Sequence, residues 1–257
     1  MSEELATLLA TLRRERRQQS GLRSDLVPAD AAAAYRVAAR VAEQLGWSVG
    51  GWKIAAMKEE LQRELRASAP MYGRVYKQFI LQGPVTLNHA ELLRPIPEVE
   101  YAVVLGADLP PRDKPYIQDE VADAVASIHP GLEVAECRFA HDAQFPPQTA
   151  ILADGSGAGS IVMGPAIANW RERDLAGQQV VLRVNGVERR RGTAGAAIDH
   201  PLVPVTWLAN ELSRNGIGMR AGEVISSGTL TGMLLARTGD EHVADYGPFG
   251  SVVVKFT

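Results

Sequence analysis

IPEVEYAVVLG, residues 96–106, is the stretch whose reading decides this chain. Its apolar residues and valine content mark a β-strand, yet its first half carries two carboxylates, Glu98 and Glu100. Side chains two apart on a strand point to the same face, with roots roughly 6–7 Å apart. Two like charges on one face of an apolar strand are costly unless a positive charge stands between them. A hard divalent cation would supply it, because Mg²⁺ and Mn²⁺ prefer carboxylate oxygens. A solvated edge face carrying two glutamates is the competing reading, and it is the one these two residues favour when taken alone.

Working outward, LEVAECRF (132–139) is a second strand with two more acids, Glu133 and Glu136. They are three apart, so a regular strand points them to opposite faces and only one can join Glu98 and Glu100. The apolar flanks Leu132 and Val134 favour Glu133 as the inward one. Upstream, VGGWKIA (49–55) is a short strand holding Lys53 among apolar neighbours. That lysine either snorkels to water or lies buried as a charged or proton-transferring group.

The remaining elements follow from periodicity. Leu5, Leu8, Leu9 and Leu12 predict an amphipathic helix over 3–19. RRERRQQS (13–20), interrupted by Glu15, reads as its solvated end. A second helix is expected from about Pro28 to Leu45, stopped by Gly46, with Tyr35, Ala38, Val41 and Leu45 inward. A surface helix is expected over 57–66. Residues 119–128 read as a helix with Pro130-Gly131 as its stop, and ADGSGAGS (153–160) as a turn between strands. Asn185-Gly186 marks a hairpin within 180–191. A helix over 202–215 buries Leu202, Val205, Leu208, Ala209 and Leu212, and the C-terminal stretches 223–232 and 250–256 supply further strand. Helices early and strands late indicate an α+β fold.

Composition sets outer bounds. At 257 residues with 46% apolar and 22% charged residues, the chain is an ordinary globular sequence with a sizeable core. A net charge of −3 gives no electrostatic case for nucleic acid or an anionic membrane. Cys137 is the only cysteine, so no intrachain disulfide forms and a cytoplasmic location is expected. No apolar run suits a membrane span or a signal peptide.

Eight motifs in order extend the reading: GWKIA (51–55), APMYGRV (69–75), EVEYAVVLG (98–106), GLEVAECRF (131–139), ADGSGAG (153–159), AGAAIDHPLVPVTWLAN (194–210), AGEVISSGTLTG (221–232) and YGPFGSVVVKF (246–256). In this the chain resembles the 2-hydroxypenta-2,4-dienoate hydratases and 2-oxo-3-hexenedioate decarboxylases of aromatic-compound catabolism, within the fumarylacetoacetate hydrolase superfamily. The resemblance implies an N-terminal helical segment (1–68) and a catalytic mixed-β roll or distorted barrel (69–257), forming one continuous unit. It implies Mg²⁺ or Mn²⁺ held by Glu98, Glu100 and Glu133, an active-site lysine at Lys53, and Ser227 and Thr229 lining the substrate's carboxylate end. It further implies a small 2-oxo or 2-hydroxy-enoic acid as substrate, and a homo-oligomer.

Two departures from the family pattern bear on the reaction. Gln78 stands where relatives commonly have an acidic residue, and Met71 where an aspartate often precedes the tyrosine. An amide does not exchange a proton near neutral pH, so any acid–base role at position 78 is absent. Hydration of a 2-hydroxy-dienoate is the first expectation and decarboxylation of a 2-oxo-enedioate the second. Hydrolysis of an acylpyruvate C–C bond would want a His–Glu pair, for which His89 and Glu91 are the candidates. A non-catalytic 2-oxo-acid-binding homologue is the reading Gln78 favours. His141 and His200 read as structural or exposed, and Cys137 as packing.

Overall fold

Residues 2–257 are described by the computed structural model of the protein. The chain begins with two packed helices, α1 (Ser2–Glu15) and α2 (Ala31–Leu45), joined through Leu5, Leu9, Val37 and Val41. Asp30 caps α2 by accepting the Ala33 amide at 2.7 Å, and Gly46 ends it in the left-handed region at φ 65°. Strand β1 (Val49–Ala55) follows, then the short helix α3 (Glu59–Glu64) and strands β2 (Met71–Tyr76), β3 (Ile80–Gln82), β4 (Val85–Leu87) and β5 (Ile96–Leu105). Helix α4 (Gln118–Ala124) leads directly into β6 (Val125–Ala135); α5 (Gln148–Ala153) precedes β7 (Ser160–Met163). Strands β8 (Gln179–Val184) and β9 (Val187–Thr193) form the hairpin, with Asn185 and Gly186 both at positive φ. The chain ends with α6 (Ala194–Ile198), α7 (Leu202–Arg214), β10 (Val224–Ser226), β11 (Glu241–Asp245) and β12 (Ser251–Phe256).

Two mixed sheets result: a seven-stranded one in the order β2-β1-β10-β5-β6-β7-β3 and a five-stranded one in the order β4-β12-β11-β8-β9. This is the α+β, mixed-sheet architecture expected from the sequence. β1, from the N-terminal stretch, sits well inside the larger sheet beside β10. On β1, β5 and β6, alternate residues (Trp52, Ile54, Val99, Tyr101, Leu132, Val134) enter the main core with α7 and the second sheet. All five predicted inward residues of α7 are buried. The intervening residues Lys53, Glu98, Glu100 and Glu133 therefore share the opposite face.

Several local expectations are corrected. The helix expected over 119–128 stops at Ala124, and residues 125–135 are strand. Pro130 does not break that strand. Its partner Tyr101 turns its own amide and carbonyl toward β10, to Ser227, so Tyr101 and Pro130 form a non-hydrogen-bonded pair. The missing N–H of Pro130 costs the β5–β6 ladder nothing. The turn at 153–160 joins a helix, α5, to a strand rather than two strands. Helix α1 ends at Glu15, and Arg13, read as part of a solvated helix end, has a side chain only 8% exposed. Between 221 and 232 only Val224–Ser226 pairs as strand, because Gly228 and Gly232 turn the chain at positive φ.

Candidate active site

Three carboxylates meet on the face of the large sheet turned away from the main core. Glu98 and Glu100 stand two apart on β5, and the register of the β5–β6 pair sets Glu133 directly opposite Glu98. Each offers an oxygen such that all three lie within 4.8 Å of one another. Lys53 reaches in from β1: its Nζ is 3.4 Å from Glu133 Oε1 and 4.0 Å from Glu98 Oε2. None of the four is more than 6% exposed. Glu136, as the alternation argument requires, turns away and accepts the Leu93 amide at 2.6 Å.

The donor set fits a divalent cation. Glu100 Oε1 and both oxygens of Glu133 are buried without a hydrogen bond among the described residues. Orphaned buried carboxylate oxygens are rare unless something positive meets them. Oxygens around an octahedral Mg²⁺ at about 2.1 Å stand roughly 3 Å apart, so a contraction of under about 2 Å would close the three onto one ion. Three carboxylates against one ammonium leave the face net negative, which a dication would cancel.

Burial raises the Glu98 carboxyl above its ordinary range. Burial, then Glu133 and Glu98, raises Glu100 well above it. Glu133 is pushed up to about 7 by burial, with Lys53 opposing. For Lys53 burial works against the charge, but Glu133, Glu98 and Glu100 outweigh it and hold the ammonium above its ordinary value. The sign for stability follows. The folded, metal-free protein keeps protons on these acids that the unfolded chain releases, so stability falls as pH rises from about 4.5 toward 7. Lys53 contributes fully throughout this window, its share being lost only above its unfolded pKa near 10.5. Thermal melts in chelator are therefore expected to decline between about pH 5 and 7.5, by several degrees, and added Mg²⁺ to reverse the decline. Melts equally flat in wild type and Glu133→Gln would contradict it.

Other groups that hold the site left weaker signals in the sequence. Ser226 donates to Glu100 Oε2, and the Gly228 amide donates to the same oxygen at 2.7 Å. Ser226 sits on β10 level with Lys53 on one side and Ala102 on the other. Gly228 is at φ 99°, a conformation that suits glycine and aims its amide at the carboxylate. The Tyr246 hydroxyl, fully buried, lies within hydrogen-bonding distance of the Glu100 and Gly131 carbonyls and braces the β5–β6 pair. The SSGT run pointed to this turn without saying which hydroxyl reaches the acids. Ser227 instead accepts the Tyr101 amide at 3.0 Å, and Thr229, 8% exposed, donates to the Gly232 carbonyl.

The remaining candidates lie elsewhere. His89 packs edge-on against Phe256 with Nε2 3.3 Å from the Ala236 carbonyl, while Glu91 is exposed and pairs with Arg16. That pair does not join the carboxylates. Met71 is buried opposite Ala55, two places along from the Gly73 that pairs with Lys53, and its sulfur accepts from Gln148 at 3.0 Å. Gln78 is exposed in the 3₁₀ turn after β2. Cys137 packs with the helical cluster, and burial pushes its thiol up to about 12.

Comparison with known proteins gives a consistent picture. The family described as fumarylacetoacetate (FAA) hydrolase C-terminal matches residues 60–257. A 2-keto-4-pentenoate hydratase of Paraburkholderia xenovorans is 32% identical over 213 residues, covering 82% of this chain and 77% of its own. The 2-oxo-hept-4-ene-1,7-dioate hydratase of Escherichia coli is 28% identical over 231 residues, covering 88% and 86%. Among solved structures, the 4-oxalocrotonate decarboxylase from Pseudomonas putida G7, complexed with magnesium and adipate, superposes with a TM-score of 0.90. At 24% identity it covers 100% of this chain and 97% of its own, a likeness of fold. No helix among the described residues is long and apolar enough to cross a membrane.

Proposed function

This chain belongs to the fumarylacetoacetate hydrolase family, and we propose that it is a divalent-metal-dependent lyase of aromatic-compound catabolism. It hydrates a 2-hydroxy-2,4-dienoate, through its 2-oxo-enoate tautomer, to a 4-hydroxy-2-oxo acid. The observation that carries this reading is the convergence of Glu98, Glu100 and Glu133 within 4.8 Å under Lys53. The hydratase relatives support the reaction class.

Glu98, Glu100 and Glu133 would hold Mg²⁺ or Mn²⁺, the hard ions that all-oxygen donor sets prefer. When bound, the dication acts as a Lewis acid toward the carboxylate and 2-oxo oxygens of the substrate. Ser226 and the Gly228 amide keep Glu100 aimed inward by occupying its other oxygen. Lys53, relieved of its role as sole counter-charge, holds the substrate's negative charge or passes a proton to the far end of the carbon chain. Protonation there converts the dienol to a conjugated 2-oxo-3-enoate, and water adds at C4. The turn bearing Ser227 and Thr229 is proposed to line the substrate's carboxylate end. Because Lys53 comes from the first 68 residues, the helical segment and the mixed-β unit (69–257) act as one. A homo-oligomer in the cytoplasm completes the proposal, the first by family resemblance and the second from the single cysteine.

Decarboxylation of a 2-oxo-3-hexenedioate is the second reading, favoured by the whole-chain fold match to a decarboxylase. The same site would serve it, accepting the carbanion left by CO₂. A panel of 2-hydroxy-dienoates and 2-oxo-enedioates with Mg²⁺ or Mn²⁺ separates the two: hydration removes the dienoate absorbance without CO₂ release, whereas decarboxylation releases it. Binding of oxalate or pyruvate with no turnover on any member of the panel would instead indicate a non-catalytic homologue.

A further inference from the structure

The large sheet curls round the face that carries the acids. Lys53 on β1 and Glu133 on β6 have β10 and β5 between them, about 14 Å on a flat sheet, yet Nζ and Oε1 stand 3.4 Å apart. The two edge strands, β2 and β3, are joined by Lys77–Phe79 alone, which brings the ends of the sheet together. Beside Lys53 that closure is incomplete. On its outer side Tyr72 of β2 bonds to no strand among the described residues: its amide donates to the Tyr35 hydroxyl at 3.3 Å, and its carbonyl accepts from Ser156 at 2.7 Å.

Residues 154–159, the turn between α5 and β7, fill this gap. The Gly155 carbonyl accepts the Ala158 amide at 3.0 Å, with Ser156 and Gly157 between them at positive φ. That same carbonyl lies against Gly73, the residue paired with Lys53; a Cβ at Gly73 would stand 1.9 Å from its oxygen. Directly paired residues share a face, so the carbonyl occupies the acid side of β2, next to Lys53, and only glycine at 73 admits it.

We propose that Arg13, on α1, is a positioning residue for the active site: it pegs the 154–159 turn and so fixes the wall beside Lys53. Its Nη2 donates to the Asp154 carbonyl at 2.9 Å and its Nη1 to the Ala158 carbonyl at 3.3 Å, near the two ends of the turn. The same guanidinium lies over the Tyr76 ring of β2 at 5.7 Å, so one planar group touches both borders of the gap. Arg138, which follows β6, donates to the same two carbonyls at 2.9 and 3.1 Å and to the Asp154 carboxylate at 2.7 Å. Bonds from a charged donor are the stronger kind, and four of them converge on two carbonyls of one turn. Loss of Arg138 would strand the buried Asp154 carboxylate and endanger the fold. Loss of Arg13 leaves the Arg138–Asp154 pair in place and loosens the turn. Arg13 also lies outside the residues 60–257 that the family matches, and it acts on the reaction through position only. The kinetic part of this proposal rests on the lyase reading above.

Arg13→Met is expected to lower kcat, counted per Mg²⁺-binding site, by about 10–100-fold, the cost of a displacement of about 1 Å near reacting groups. Mg²⁺ affinity by titration calorimetry should stay close to wild type, because the acids stand on β5 and β6, whose pairing Arg13 does not touch. Amide exchange of residues 154–160 should quicken by at least about tenfold, with residues 96–105 unchanged. Gly73→Ala, which pushes the same turn from the inside, is expected to give the same pattern, and the double variant to lose no more kcat than the larger single loss. A kcat per Mg²⁺-binding site equal to wild type, unaltered exchange in the turn, additive losses, or Mg²⁺ affinity lost in step with kcat each overturns the role. Faster exchange in the turn, in a protein whose wild type turns over nothing in the substrate panel, would keep Arg13 as the peg and reject the lyase reading instead. Should Arg13→Met not fold, Arg13→Lys, which keeps the charge but lacks the fork that reaches two carbonyls, carries the same readouts, and exchange equal to wild type in it rejects the proposal.

Discussion

Glu133→Gln is expected to abolish metal-dependent turnover, lowering kcat/KM for a 2-hydroxy-2,4-dienoate by at least about a thousandfold. The side chain is fully buried, and apart from the Lys53 ammonium 3.4 Å from Oε1 its oxygens meet no donor among the described residues. The amide keeps the shape but withdraws one charge from the proposed cation and replaces one acceptor by a donor that repels it. Glu98 and Glu100 alone, with Lys53 beside them, would then bring two negative charges to a dication instead of three. The metal-free protein should not suffer. One fewer buried carboxylate relieves the site, so the variant in chelator at pH 8 is expected to melt no lower than wild type, while the stabilisation by Mg²⁺ disappears. Near wild-type turnover in this variant without added metal would end the account of the site.

Lys53→Met is expected to separate metal binding from chemistry. Loss of a positioned proton donor or charge clamp costs about 10²–10⁴ in kcat. Titration of Mg²⁺ into the variant should show affinity equal to or tighter than wild type, because the ammonium 3.4 Å from Glu133 no longer competes for the same carboxylate. Methionine fills the buried space without bringing a charge, so the fold should survive. Lys53→Arg should not rescue activity, since a planar guanidinium cannot occupy the place of a compact ammonium within this enclosed face. Turnover within tenfold of wild type in Lys53→Met would remove Lys53 from the mechanism.

Much of the fold was readable because local pattern and tertiary demand agree. The stripe on α7, the Gly46 stop of α2 and the Asn185-Gly186 hairpin are each set by side chains within a few residues of one another, whereas α2 starts at Ala31 under the Asp30 cap and not at Pro28. Where they disagree, the reading failed. Residues 125–131 carry no strand signal strong enough to override Pro130 read as a helix stop, and only the pairing with β5 shows that the proline's missing donor falls on an unbonded side. Arg13 has the sequence context of a solvated helix end, yet its guanidinium is drawn inward by carbonyls some 140 residues away.

The sequence by itself determined which side chains share a face: Glu98 with Glu100, and only one of Glu133 and Glu136 with them, because strand geometry repeats every two residues; the apolar flanks Leu132 and Val134 then favoured Glu133. Tertiary structure alone decided that those faces meet. The register that puts Glu133 opposite Glu98 is a long-range choice, and a slip of one residue would have sent every acid to the other side of the sheet. Likewise it took the parallel insertion of β10 beside β1 to bring Lys53 level with Ser226, and so within reach of the acids. Such pairings are selected by burial and backbone hydrogen bonding summed over the whole sheet, and no short stretch of chain encodes that sum.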